Sequence, residues 1–201
     1  MLKFRLNMRN VLATAIFLCS FSFFAGIAFS SCTNLRSNPA EPQPTAELTF
    51  SLLRQTGSGS NQFAVWVENS EGSYVTTLFA TNFTASGGWQ RRATSLPLWV
   101  KQSGISEMDA AQTDAFTGAT PDSGSLTYRW DGTDSRGVAI PAGNYVLFLE
   151  GTLRGENQVV YRAPIQIGRG TVEAQVNVEY IGTPPGSERE MISNVSVRVL
   201  R

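Results

Sequence analysis

The chain has 201 residues, with 16 Lys and Arg against 16 Asp and Glu, two Cys and no His. Without histidine it can build by itself no Ser-His-Asp or Cys-His nucleophile system, no His-ligated zinc and no proximal-His haem site. The neutral total hides a division, because Lys3, Arg5 and Arg9 precede a long uncharged stretch and leave residues 32–201 with 13 positive and 16 negative charges, a balance of −3. That remainder lacks the dense basic surface that displaces counterions from phosphates, so no nucleic-acid partner is expected.

In chain order, the first element is an export signal over residues 1–31. A basic stretch, Met1 to Asn10, is followed by Val11 to Phe29 without a charge and by small residues at the exit. The exit, Ala28-Phe29-Ser30-Ser31-Cys32, resembles a bacterial lipobox, in which a signal peptidase cuts before a cysteine that then receives lipid. That resemblance implies Cys32 as the lipidation site and a membrane held through the lipid anchor. Cys19 follows Ile16, Phe17 and Leu18, which are too bulky for the cleavage pocket. The alternative is an uncleaved anchor, since the apolar run approaches the roughly 20 residues that span a bilayer. Both place the remainder outside the cytoplasm, in the cell envelope. With Cys19 removed and Cys32 lipidated, no thiol remains for a disulfide or zinc cluster.

Residues 32–46 contain Pro39, Pro42 and Pro44 and no apolar periodicity, which reads as a semi-extended tether. Residues 47–201 read as one all-β domain. Phe63-Val65-Val67 alternates with Ala64-Trp66-Glu68, Leu126-Tyr128-Trp130 with Ser125-Thr127-Arg129, and Val172-Ala174-Val176-Val178-Tyr180 with its polar neighbours; Val195-Val197-Val199 repeats the pattern. Period two predicts half-buried antiparallel strands, roughly eight of them with Gly-rich turns between, forming a β-sandwich. Trp89 to Gln102 departs from this pattern and predicts a short helix broken at Pro97, with a further turn over Ser106 to Thr113.

The run Tyr128-Arg129-Trp130-Asp131-Gly132-Thr133-Asp134-Ser135-Arg136-Gly137, followed by Ile140-Pro141-Ala142-Gly143-Asn144-Tyr145, resembles the Ig-like domain of flagellar hook-capping proteins. Physically it predicts a hairpin in which Asp131 and Asp134 cap the turn, Gly137 is left-handed, and Trp130 and Tyr145 enter the core. Calcium at Asp131 and Asp134 is the alternative, although the loop offers few of the six to eight oxygens required. Together with Val65 to Glu68, Gly72 to Leu78 and the Trp-rich Trp89 to Trp99, the region from Phe63 to about Gly151 resembles a family of uncharacterised bacterial periplasmic proteins. That resemblance implies an extracytoplasmic, Ig-like antiparallel sandwich with a short helical insertion.

Asp114-Ala115-Phe116-Thr117-Gly118-Ala119-Thr120 resembles the flavinylation motif Asp-x-x-Ser/Thr-Gly-Ala-Ser/Thr, at which a bacterial flavin transferase moves FMN from FAD onto the last hydroxyl as a phosphoester. The resemblance implies Thr120 as the acceptor, Thr117, Gly118 and Ala119 as a slim loop that enters the transferase, and Asp114 as the residue that positions the peptide or its proton. Pro121-Asp122-Ser123 follows where known carriers usually continue with Thr-Ser. The alternative reading makes the same residues an Asx turn leading into the strand at Ser125.

Trp66, Trp89, Trp99 and Trp130 suit either an isoalloxazine ring or the core, and Arg91-Arg92 suits an FMN phosphate, lipid head groups or plain solvent. Two functions from different classes follow. One is an envelope lipoprotein that carries covalent FMN and exchanges electrons with other envelope redox proteins, a carrier rather than a catalyst. The other is a cofactor-free Ig-like binding or structural module.

Overall fold

The computed structural model describes residues 45–57 and 61–200. The signal at residues 1–31, Cys32 and most of the tether lie outside the described residues. The elements are β1 (Thr45–Leu52), β2 (Gln62–Asn69), β3 (Tyr74–Thr81), α1 (Trp89–Arg91), α2 (Pro97–Ser103), α3 (Ala110–Asp114), β4 (Thr117–Gly118), β5 (Gly124–Trp130), β6 (Gly143–Thr152), β7 (Gln158–Ile167), β8 (Val172–Ala174), β9 (Asn177–Ile181), α4 (Gly186–Arg189) and β10 (Ile192–Leu200). They form a β-sandwich: a four-stranded sheet in the order β5-β1-β10-β8 and a six-stranded sheet in the order β4-β3-β2-β6-β7-β9. All pairings are antiparallel except β3 with β4.

Alternate residues of both sheets build the core between them, with Leu48 and Phe50 of β1, Phe63 and Val65 of β2, Leu147 and Leu149 of β6, and Val197 and Val199 of β10 all buried. Trp130 sits in the same core, edge-on to Tyr145 with centroids 5.4 Å apart.

The six-stranded sheet is covered on its other face as well. Ala64, Trp66, Phe148 and Val160 meet Leu96, Trp99 and Ile105 of the helical insertion in a second apolar cluster. Strand β2 is therefore buried on both faces along most of its length, where alternation predicts burial on one. Each buried indole N–H finds an acceptor: Trp66 donates to Glu68 at 2.8 Å, Trp99 to Thr77 Oγ1 at 3.0 Å and Trp130 to the Thr133 carbonyl at 2.8 Å. An unpaired buried donor would cost about 1–3 kcal/mol.

The insertion is pinned to the sheet by Glu150 of β6. Its side chain is fully buried, and its two carboxylate oxygens accept the backbone N–H groups of Leu98 at 3.2 Å and Trp99 at 2.7 Å, at the first turn of α2. Burial pushes the Glu150 carboxyl up to about 7, against those two donors and the charge of Arg162. Pro97 occupies the first turn of α2, where its missing N–H costs nothing, so it starts the helix instead of breaking it.

The alternation over Val172 to Tyr180 is not one strand. It divides at Gln175-Val176 into β8, on the edge of the four-stranded sheet, and β9, on the edge of the six-stranded one. Both strands are edges, and Val172, Val178 and Ile181 stand exposed. The hairpin after Trp130 forms as its residues predict. Asp131 Oδ1 accepts from the backbone N–H and hydroxyl of Thr133; Asp134 Oδ1 accepts from the N–H groups of Arg136 and Val138; Gly137 has φ 75°. Arg136 also pairs with Asp134 at 2.7 Å and holds that carboxyl below its ordinary value. Among the described residues no three His, Cys, Asp or Glu side chains cluster as a metal site, and no helix is long and apolar enough to cross a membrane.

Candidate functional site

The motif from Asp114 to Thr120 leaves the end of α3, adds the two-residue strand β4 to the edge of the six-stranded sheet, and crosses to β5 at the edge of the other sheet. Helix α3 opens on a reciprocal cap. Asp109 accepts the backbone N–H of Gln112 at 2.8 Å, and the Gln112 side chain accepts that of Asp109 at 2.9 Å. The Asx-type cap therefore belongs to Asp109. Asp114 is exposed and, among the described residues, its carboxylate has no hydrogen bond or ion pair, so it holds no turn.

The middle of the motif is tied to the fold. The Phe116 carbonyl accepts from the Ala80 N–H at 3.0 Å and its ring meets Trp99 edge-on at 6.0 Å. Thr117 pairs with Ala80, and its hydroxyl donates to the Thr113 carbonyl at 2.7 Å. Gly118 pairs with Thr81 and lies against Phe79, where an added Cβ would stand 2.5 Å from the ring. That ring cannot yield easily, since it packs on Phe63 at 5.1 Å and Tyr128 at 4.9 Å.

Beyond Gly118 the chain is freer. Ala119 is exposed and Thr120 half-buried, and among the described residues the Thr120 hydroxyl has no hydrogen-bond partner. The loop is fastened again at Asp122, paired with Arg54 at 3.1 Å, and at Ser123, whose hydroxyl accepts the Arg54 N–H at 2.9 Å. Thr120 thus stands between two anchored points on an accessible edge.

Register fixes the position of this loop on the sandwich. Strand β1 pairs Ala46 with Trp130 and Leu52 with Gly124, so β5 begins beside the end of β1. The crossover lies at the end of the sandwich opposite Thr45, where the preceding chain joins the domain. The eight residues of β1 make seven steps from one end to the other, about 23 Å at ~3.3 Å per step.

Of the aromatic residues considered for a flavin ring, Trp66, Trp99 and Trp130 are fully buried in the two cores and unavailable to one. Trp89 is half-buried against the helical layer. Arg92 hydrogen-bonds Thr94 and the Gly155 carbonyl, whereas Arg91 lies over the ring of Phe83, 5.4 Å from its centroid. A cavity of about 260 Å³, lined by Tyr74, Met108, Gln112, Phe116 and Asp134, opens beside the N-terminal side of the motif. Sequence reading singles out neither Phe83 nor Glu150. The signal for Glu150 is a lone charge closing the apolar run Tyr145 to Leu149; Phe83 carries none, being joined to the motif only by strand register.

Residues 45–182, from β1 to the end of β9 and including the whole motif, match the family described as predicted periplasmic protein (DUF2271), and the chain belongs to that family. No curated protein and no solved structure matches the chain.

Proposed function

We propose that the protein is an envelope carrier of covalent FMN, with Thr120 as the acceptor. The observation that carries this reading is a division within the motif. Thr117 and Gly118 have structural work that explains their residue types, whereas Asp114 and Thr120, the motif's two ends, have none among the described residues. An unpartnered hydroxyl on a half-buried residue, in a loop anchored on both sides, suits modification by an external transferase. The Thr120 oxygen attacks the FMN phosphorus of FAD, the phosphoanhydride bond breaks, AMP leaves, and the hydroxyl proton passes to the transferase's base. Asp114 orients the loop toward that enzyme.

Bound FMN supplies reversible electron transfer, while the protein supplies position and electrostatics. Presenting the acceptor at the end of the sandwich away from Thr45 suits a carrier that is tethered through its N-terminal segment by lipid on Cys32. Its partners are then a flavin transferase and envelope redox proteins. Co-expression with an exported flavin transferase tests this: one FMN per chain, stable to denaturation and mapped by mass to the peptide bearing Thr120, is the expected result. An unmodified Thr120 beside a transferase active on another substrate rejects it.

A second reading, a cofactor-free Ig-like binding or structural module, is favoured by the exposed apolar side chains Val172, Val178 and Ile181 on the edge strands β8 and β9. Unpaired edges of this kind accept an added strand from a partner.

A further inference from the structure

An FMN tied to Thr120 also needs a place for its ring, and the inference drawn here rests on the carrier reading. Strands β3 and β4 are parallel, with Gly118 opposite Thr81. Thr120, two residues further, therefore stands past the end of β3, on the side where the chain turns through Asn82 and Phe83. The cavity beside Phe116 is lined by Tyr74, Thr76 and Thr77, which begin β3, and so lies toward the other end of that strand.

Phe83 is a large apolar side chain left 38% exposed, and it is held in place. Gly88 packs so closely that a Cβ there would stand 2.1 Å from the Phe83 carbonyl oxygen and 2.7 Å from its ring. The turn between them, Thr84–Gly88, is kinked, with non-helical backbone at Ser86 and at Gly87, whose φ is 86°. The same turn leads into α1, which sets the guanidinium of Arg91 over the Phe83 ring. Phe83 is thus a partly exposed aromatic held beside glycine, with a guanidinium over its ring and no aromatic partner among the described residues.

We propose that the Phe83–Arg91 pair is the seat on which the isoalloxazine ring of a Thr120-linked FMN stacks. The ring is flat and electron-poor, and offset stacking on the electron-rich face of an aromatic side chain is the geometry it favours, with the Arg91 charge beside it to meet negative charge that develops on the ring when it is reduced. The half-buried, partnerless Thr120 supplies the covalent tie and the Phe83 surface limits the ring's motion.

The test uses the full chain co-expressed with an exported flavin transferase and compares it with Phe83→Ala and Phe83→Trp. Covalent FMN is counted by mass, and the ring is followed by visible circular dichroism, flavin anisotropy and iodide quenching. The expected result is undiminished FMN loading and an unchanged far-UV spectrum in Phe83→Ala, with the visible dichroism reduced by half or more, lower anisotropy and greater iodide access. Phe83→Trp should keep the dichroism and darken the flavin fluorescence, since an indole in contact donates an electron to the excited ring. Full loading with all three ring signals unchanged in Phe83→Ala overturns the seat and leaves the carrier reading intact. Absence of FMN from the unsubstituted chain overturns both.

Discussion

Gly118 and Phe79 are in contact so close that no other residue fits at position 118 without displacing the ring. The glycine of the motif thus serves the sandwich whether or not a flavin is attached. Gly118→Ala is expected to destabilise the domain by about 1–3 kcal/mol, as overpacking does, measured by urea unfolding.

The two ends of the motif should behave differently from its middle. Thr120→Ala is expected to change stability by no more than about 0.5 kcal/mol, as for surface positions without partners, while abolishing the FMN label. Thr117→Ser, which keeps the hydroxyl bonded to Thr113, should retain both label and fold.

Asp109 and Asp114 allow a paired comparison. Asp109→Ala removes a reciprocal helix cap and should cost about 1 kcal/mol. Asp114→Ala should leave the melting temperature unchanged and lower the yield of flavinylated protein. A large loss of stability in Asp114→Ala, seen by thermal melts, would return that carboxylate to a structural role.

The buried Glu150 gives the domain a pH dependence of definite sign. Its carboxyl is raised by burial from 4.5 to about 7 in the folded protein, so between those values the native state holds a proton that the unfolded state has lost. Stability contributed this way is complete below about 4.5 and is lost as pH rises through 7. Glu68, raised mainly by burial and opposed by its bond to Trp66, acts in the same direction. Asp134 is shifted the other way, chiefly by Arg136, and its contribution is lost only at more acidic pH. Melting temperature should therefore fall from pH 5 to pH 8, and Glu150→Gln should flatten that slope.

Membrane attachment is tested at Cys32. Cys32→Ala should move the protein from the membrane fraction to the soluble envelope fraction, and recovery of intact Met1 to Ser31 in the mature protein would reject cleavage before that cysteine.

The hairpin from Trp130 to Tyr145 is legible in sequence because each residue's role is local: Asp caps, a left-handed Gly, aromatic residues at either end. The burial of Trp130 is legible with it, as the core-facing aromatic that closes the alternation of β5. The double burial of β2 is not legible, since Ala64 and Trp66 look like the second face of an ordinary strand until the insertion docks on them. Nor is the division of β8 from β9, which depends on which sheet edge each segment meets rather than on its own alternation. The motif could be read because it is contiguous. Phe83, 37 residues before Thr120, reaches the same end of the sandwich only through the pairing of β3 with β4.

The first strand of the domain lies between β5 and β10, so it receives its last neighbour only when residues 192–200 arrive. Closing so long a stretch of chain before any pairing repays it makes formation of the four-stranded sheet slow. Until residues 192–200 are present, that sheet therefore cannot be completed, whatever the state of the six-stranded one. Loss of the C-terminal strand should correspondingly leave β1 with a bare edge and a fold that never completes.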